Sequence, residues 1–219
     1  MHHRQKSLTP AQFILYQSFQ LCYTPHMARI KTFDETAALD RVMTLFWEQG
    51  YEATSVRDLA TSAGIGLSSL YNAFGDKRDV YGAALDRYRA IEREQFAAIL
   101  RESAAVRPTL AAVFAELIDM LLAGGNRGSF TLNAAIELGG RDEAITAGLR
   151  EHFDDICDLL ADRLAEAQAG GEISRTWSPD ELARYLAFGL YSLATMVKIY
   201  PDRDRLEATA GMVLSVLDC

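Results

Sequence analysis

Thr54-Ser55-Val56-Arg57-Asp58-Leu59-Ala60-Thr61-Ser62-Ala63-Gly64-Ile65-Gly66-Leu67-Ser68-Ser69-Leu70-Tyr71-Asn72-Ala73-Phe74-Gly75-Asp76-Lys77 is the stretch that decides how this chain is read. Thr54 or Ser55 offers a hydroxyl that can cap a helix by accepting from an orphan backbone N–H. Val56, Leu59, Ala60 and Ala63 follow at i, i+3, i+4 and i+7, which gives one apolar helical face. Gly64 falls where the chain must turn, a place that favours positive φ, and Ile65 anchors the turn in the core. A second helix is expected from Leu67 to Phe74, with Leu70 and Phe74 inward and Ser68, Ser69, Tyr71 and Asn72 on the other faces. Short hydroxyls allow a helix to approach a groove closely, Asn can pair bidentately with adenine, and a Tyr hydroxyl can reach a phosphate. An ordinary helical hairpin would satisfy the same apolar spacing. What separates the two readings is the next turn: Asp76 can cap a further helix, and Lys77 then stands at the positive end of its dipole, where a phosphate would sit.

These residues, with Phe46-Trp47-Glu48-Gln49-Gly50-Tyr51 before them, resemble the DNA-binding domain of the TetR/AcrR family of transcriptional regulators over Phe33 to about Ala84. The resemblance implies an all-α fold, with an N-terminal three-helix helix-turn-helix domain followed by a helical ligand-binding and dimerisation domain. It implies DNA contacts from Arg57, Leu67, Ser68, Ser69, Tyr71, Asn72 and Lys77, and a phosphate contact from Thr54 or Ser55. Ser69 stands where many members carry Gly or Thr, and Ala73 where many carry an aromatic residue or histidine; base preference therefore stays open.

Outward from this stretch the chain reads as helical throughout. Its 219 residues are 49% hydrophobic and include only five prolines, and no run of strict period-two alternation appears. Residues 1–32 are expected to be an N-terminal extension or arm, 33–80 the DNA-binding domain, and 81–219 the ligand and dimer domain. Residues 1–26 contain no acidic side chain, and Met27-Ala28-Arg29 looks like a natural start, so that this stretch is either a misassigned start or a loosely held arm. A first domain helix is expected from Asp34 to about Gly50, and a long one from Lys77 to about Ser103. Others are expected from Pro108 to Ala123, from about Phe130 to Leu138, and from about Asp142 to Ala169. Ser178-Pro179-Asp180-Glu181 is a capping box with proline at the first helical position, opening a helix to about Ile199. A last helix runs from about Arg203 to Leu217.

The net charge of −8 argues at first against a polyanion as partner. Residues 1–80 carry eight basic and eight acidic side chains and residues 81–219 carry 14 and 22, so the excess acid lies in the second part. A neutral reading domain leans on two copies per site and on Arg57, Lys77 and Arg78, with Arg29 and Lys31 as a possible arm. The last two helices are apolar on more than one side, through Leu182, Tyr185, Leu186, Phe188, Leu190, Leu193 and Met196 in one and Leu206, Met212, Val213, Leu214, Val216 and Leu217 in the other. Such helices are buried on more than one side, either as central core or as a two-fold interface. The dimer is favoured, and the resemblance implies it.

Chemistry beyond binding finds no support. Cys22, Cys157 and Cys219 make no disulfide framework or metal spacing and suit a reducing cytosol. No membrane-spanning run, catalytic set, metal site or cofactor motif appears; Gly124 to Gly128 lacks the Lys-Ser/Thr of a phosphate loop. His152 reads as a partly exposed structural histidine, and Asp155, Asp158 and Asp162 as a solvated face. In some relatives a segment like Arg127 to Ala135 holds a reactive cysteine, but Ser129 occupies that place, and Cys157 reads as an inert buried thiol. The candidate lining for a small-molecule effector is Phe114, Ile118, Phe130, Phe153, Cys157, Tyr185, Phe188 and Tyr191. The expected function is that of a cytoplasmic, homodimeric regulator of an operator on double-stranded DNA, a repressor released by its ligand, and not an enzyme. The alternative is a helical ligand-binding or scaffold protein that no longer reads DNA.

Overall fold

A computed structural model describes residues 33–101 and 105–218. Among them are nine α-helices and no strand: α1 (Glu35–Gln49), α2 (Val56–Ala63), α3 (Leu67–Phe74), α4 (Lys77–Leu100), α5 (Val106–Ala123), α6 (Phe130–Leu138), α7 (Glu143–Ala169), α8 (Pro179–Met196) and α9 (Arg203–Leu214), closed by a 3-10 turn over Ser215–Asp218. The expected N-terminal extension and its Arg29 and Lys31 lie outside the described residues.

Short acidic and hydroxyl side chains start most of these helices. Asp34 accepts from Ala37 N at 3.1 Å, Asp142 from Ile145 N at 3.1 Å and Asp202 from Arg205 N at 2.9 Å. Capping boxes open α2 (Ser55 with Asp58), α4 (Asp76 with Asp79) and α8 (Ser178 with Glu181), each satisfying orphan N–H groups of the first turn. Helices α3, α5 and α6 start without a side-chain cap of this kind, and α5 solves it from elsewhere in the chain. It begins at Val106, before the expected Pro108, and its Val106 N–H donates to Glu172 Oε2 at 2.7 Å, from the turn after α7. Proline is tolerated there because the first-turn N–H groups have no intrahelical acceptor. Helix α8 stops at Met196 rather than near Ile199: beyond it Lys198 N and Ile199 N bond three residues back, to Thr195 O and Met196 O, and Pro201 follows.

Two hydrophobic cores divide the molecule. The first gathers α1, α2, α3 and the N-terminal half of α4 around Val42, Phe46, Leu59, Leu70, Val80 and Leu85. It does not stop at the expected boundary of residue 80, for it runs on through Tyr88 and takes in Phe130, Ala134 and Leu138 of α6. Phe130 is fully buried there, edge-on to Tyr81 (centroids 5.5 Å apart) and Tyr88 (5.6 Å), which in turn meet Phe46 and Trp47 edge-on at 4.8 and 5.0 Å. The second core joins the end of α4 to α5, α7, α8 and α9, with Phe114, Ile118, Leu160, Leu164 and Leu186 at its centre.

Polar clamps lock α6 to the first unit. The Glu137 carboxylate accepts from Tyr51 N and Glu52 N, both at 2.8 Å, and Trp47 Nε1 donates to Gly128 O at 3.0 Å. Arg127 lies 4.4 Å above the Trp47 ring and bonds Glu48 at 3.0 Å. On its other flank α6 meets the second unit, where Lys198 Nζ donates to Asn133 Oδ1 at 2.7 Å.

Candidate nucleic-acid interface

The α2–turn–α3 unit is built around Gly64, which adopts a left-handed conformation (φ 70°, ψ 28°) with its N–H turned back to the end of α2. Arg41 of α1 braces the turn from beneath: its guanidinium donates to Ser62 O at 3.0 Å and to Ala63 O at 2.5 Å, while Ser62 Oγ donates to Arg41 O at 3.1 Å. Buried Leu59, Ala63 and Leu70 hold both helices on the core. Helix α3 therefore stands on a rigid base with its outer side free.

On that outer side lie Ser68, Tyr71 and Asn72, all exposed, with Leu67 39% exposed at the first turn and Ser69 half-buried. Ser55 is exposed at the start of α2, where its hydroxyl donates to Asp58 at 2.6 Å and holds the Asp58 carboxyl below its ordinary range. Arg57 is exposed and without an ion pair among the described residues. Lys77 points back toward the α1–α2 turn, its ammonium 4.4 Å above the Tyr51 ring and 3.5 Å from Glu52 O. Thr54 departs from expectation. It is 1% exposed, and its hydroxyl donates inward to Gly50 O at 2.6 Å, so it cannot present itself to a phosphate.

Charge is scarcer than the first eighty residues imply. Residues 33–80 hold four basic and eight acidic side chains. Of the four, Arg41 is spent on the turn, and Arg78 is paired with Asp142 at the start of α7. That pair holds the Asp142 carboxyl down at about 2, first through the Arg78 hydrogen bond and then through Ile145 N. Arg57 faces outward, and Lys77, folded over Tyr51, has no carboxylate partner among the described residues. Much of the acid is likewise engaged: Asp34, Asp58, Asp76 and Asp79 in caps, Asp40 with Arg87 and Glu48 with Arg127.

The expected effector lining is dispersed. Phe114 and Ile118 are buried in the second core, Phe130 belongs to the first, and Tyr185 and Phe188 lie on the surface. Tyr191 does line a cavity of about 100 Å³ between α4, α5, α7 and α8. Phe153 and Cys157 line a separate cleft of about 130 Å³ with Asp154, Asp158, Asp180 and Arg184. Burial, followed by the charge of Asp154, pushes the Cys157 thiol up, away from the reactive thiolate. His152 is buried rather than partly exposed, with Nε2 2.9 Å from the Glu92 carboxylate.

Sequence reading missed most of the cavity. Its walls carry Glu92, Gln95, Phe96 and Ile99 on α4, and Val113, Glu116, Leu117 and Met120 on α5. Both sets fall at i, i+3, i+4 and i+7, so each helix shows a stripe with a glutamate in it; that interruption was the available signal. Among the described residues no group of three or more His, Cys, Asp or Glu could hold a metal ion, and no helix is long and apolar enough to cross a membrane.

Residues 38–84 match the family model for bacterial regulatory proteins of the tetR family, and residues 107–213 match that of a tetracyclin repressor-like C-terminal domain. The chain is 30% identical over 194 residues to the uncharacterized HTH-type transcriptional regulator YezE of Bacillus subtilis, covering 88% of this chain and 100% of that one. It is 30% identical over 197 residues to the HTH-type transcriptional repressor ComR of Escherichia coli, covering 88% and 93%. Among solved structures it is similar to a cysteine mutant of the TetR family regulator CifR complexed with a 26 bp operator DNA: 28% identity, 87% and 100% coverage, TM-score 0.78.

Proposed function

This chain belongs to the tetR family of bacterial regulatory proteins, and from that premise we propose that it is a homodimeric transcriptional repressor whose α3 enters the major groove of its operator. The single observation that carries this reading is the face of α3. Leu67, Ser68, Tyr71 and Asn72 stand out together at the tip of a braced helix-turn-helix, while Leu70 behind them is fully buried. Arg57, Lys77 and Ser55 flank that face as phosphate contacts, and Ser69 sits at its edge. The repressor named ComR and the operator-bound CifR are consistent with this role.

Two copies are needed to meet half-sites roughly 34 Å apart. Exposed Tyr185 and Phe188 on α8 and Met212 on α9 supply an outer apolar face. Gly189 keeps the two helices close, since a side chain there would strike Val213 at 2.6 Å. We assign the dimer to this face. The ligand is assigned to the cavity beside Tyr191, and helix α6 carries its effect, because it is bonded to the cavity wall through Thr131 and Glu92 (3.4 Å) and to the reading unit through Glu137. A ligand that moves α4 against α8 changes the separation of the two α3 helices, and both half-sites can no longer be met. The reading is of a cytoplasmic protein that acts by binding and not by turnover.

Footprinting on the DNA upstream of the chain's own gene tests it. A sequence-dependent footprint that disappears with Tyr71→Ala or Asn72→Ala is expected. The low positive charge of residues 33–80 favours one rival, a scaffold that no longer reads DNA; a dimer with no sequence-dependent footprint would decide for it.

A further inference from the structure

We propose that the cavity between α4, α5, α7 and α8 selects a small uncharged molecule, a compact apolar body with one hydrogen-bond acceptor (an alcohol or a ketone) that the Tyr191 hydroxyl meets. This rests on the reading of that cavity as the effector site.

The lining sets the chemistry. Phe96, Ile99, Val113, Leu117, Ile156 and Leu190 make most of the wall apolar, and about 100 Å³ is open within it. An apolar cavity of about 150 Å³ is enough for benzene, so the body held is a short alkyl chain or a partly inserted ring. The charged lining residues, Glu92 and Glu116, offer no spare counter-charge. Glu92 Oε2 lies 2.9 Å from His152 Nε2, a partner able to carry the opposite charge, and accepts from Thr131 Oγ1 at 3.4 Å. Glu116 is likewise partnered. A ligand cation would compete for carboxylates already engaged, and taking Glu92 would loosen the contacts that join α4 to α6 and α7. A ligand anion would face both carboxylates. Either ion would leave water for a mostly apolar place without a free partner, which costs more than burying a neutral group.

The polar groups that remain are neutral. Tyr191 and Gln95 line the cavity and are half-buried, and among the described residues nothing hydrogen-bonds the Tyr191 hydroxyl or the Gln95 side-chain amide. The Tyr191 ring rests against Phe153, with centroids 5.3 Å apart. Burial, and then the charge of Glu92, push the Tyr191 phenol well above its ordinary range, so it keeps its proton and donates. A buried phenol O–H needs an acceptor, and a hydroxyl or carbonyl oxygen on the ligand supplies one without bringing charge. Gln95 can donate or accept, so a ligand hydroxyl can be met from either side.

Titration calorimetry of the full chain with 1-hexanol, hexylammonium and hexanoate tests the proposal, since the three probes share a body and differ in charge. Hexanol is expected to bind about tenfold or more tightly than either ion. Tyr191→Phe should weaken hexanol about two- to tenfold, yet leave 1-hexene, which has the body and no hydroxyl, bound as before. Met120→Trp, which fills the cavity, should weaken both uncharged probes. Either ion binding as tightly as hexanol would overturn the proposal on native protein alone. So would hexanol binding indifferent to Tyr191→Phe or to Met120→Trp, an equal loss of hexene with Tyr191→Phe, or no binding of any probe. Release of operator DNA is read separately: selective hexanol binding that leaves DNA bound supports the ligand class and overturns the effector reading.

Discussion

Thr54 and Asn72 show how little residue type says about role until burial is known. Both are small and polar and both lie in the helix-turn-helix segment, yet one hydroxyl is sealed against Gly50 O and the other side chain is exposed. Thr54→Val keeps the volume and removes a buried hydrogen bond, which costs about 1 kcal/mol; urea denaturation should register that loss while operator affinity stays the same. Asn72→Ala should do the reverse, weakening the operator complex by about 1–3 kcal/mol in a fluorescence-anisotropy titration with the unfolding midpoint unmoved. Asp142 makes a pH-dependent contribution. Its folded value near 2 lies below the ordinary 3.8, so the stabilisation is complete above the unfolded value and is lost as pH falls toward the folded one. The gap in melting temperature between the native chain and Asp142→Asn should therefore be full at pH 5 and close between about pH 4 and pH 2.

At the scale of elements, α6 is the piece whose assignment matters most. It follows α5 in the chain, yet Phe130, Ala134 and Leu138 pack in the core of the reading unit, and Glu137 caps the α1–α2 turn. Gly128 at its entry has φ 73°, a Cβ there would meet Ala194 O of α8 at 2.6 Å, and its carbonyl accepts from Trp47, so this point touches both units. Truncating Phe130 to Ala removes the ring between Tyr81 and Tyr88 and should cost about 3–5 kcal/mol in chemical denaturation. Glu137→Ala leaves the aromatic cluster intact but frees two N–H groups. It should lower stability by about 1–3 kcal/mol and make DNA affinity less responsive to ligand, measured as the ratio of operator dissociation constants with and without the effector.

For the whole molecule, the scarcity of outward cations sets an observable limit. Arg57 and Lys77 from two protomers neutralise about four phosphates, which corresponds to a slope of log K against log salt of about −4. Arg29 and Lys31 would steepen it to about −7. The full chain should show the steeper slope, and replacing Arg29 and Lys31 with Ala should return it to about −4. Affinity this modest per protomer makes the dimer essential. Phe188→Glu, placed on a surface ring 62% exposed, should leave the protomer folded, halve the mass seen by sedimentation and abolish the footprint.

Periodicity, caps and turn residues are local signals, and they carried α2, α3, the start of α8 and the all-helical class, because Ser55 with Asp58, Gly64, and Ser178 with Pro179 and Glu181 act within a few residues of themselves. The face of α3 was legible for the same reason: Leu70 marks the buried side, and the exposed positions follow from 3.6 residues per turn. What spacing could not reveal is which apolar stripe meets which. Phe130 and Phe114 look alike in the sequence, but one is the centre of an aromatic cluster with α1 and α4, and the other fills the second core. The pairing of Glu92 with His152, 60 residues apart, and of Arg78 with Asp142, depends on how α4 lies against α7. The sequence by itself determined the helices, the turn and the outward face of α3. Only the tertiary structure decided that α6 belongs to the reading unit, that Thr54 is sealed, and that a cavity with two carboxylates opens beside Tyr191, because each of these is a relation between surfaces far apart along the chain.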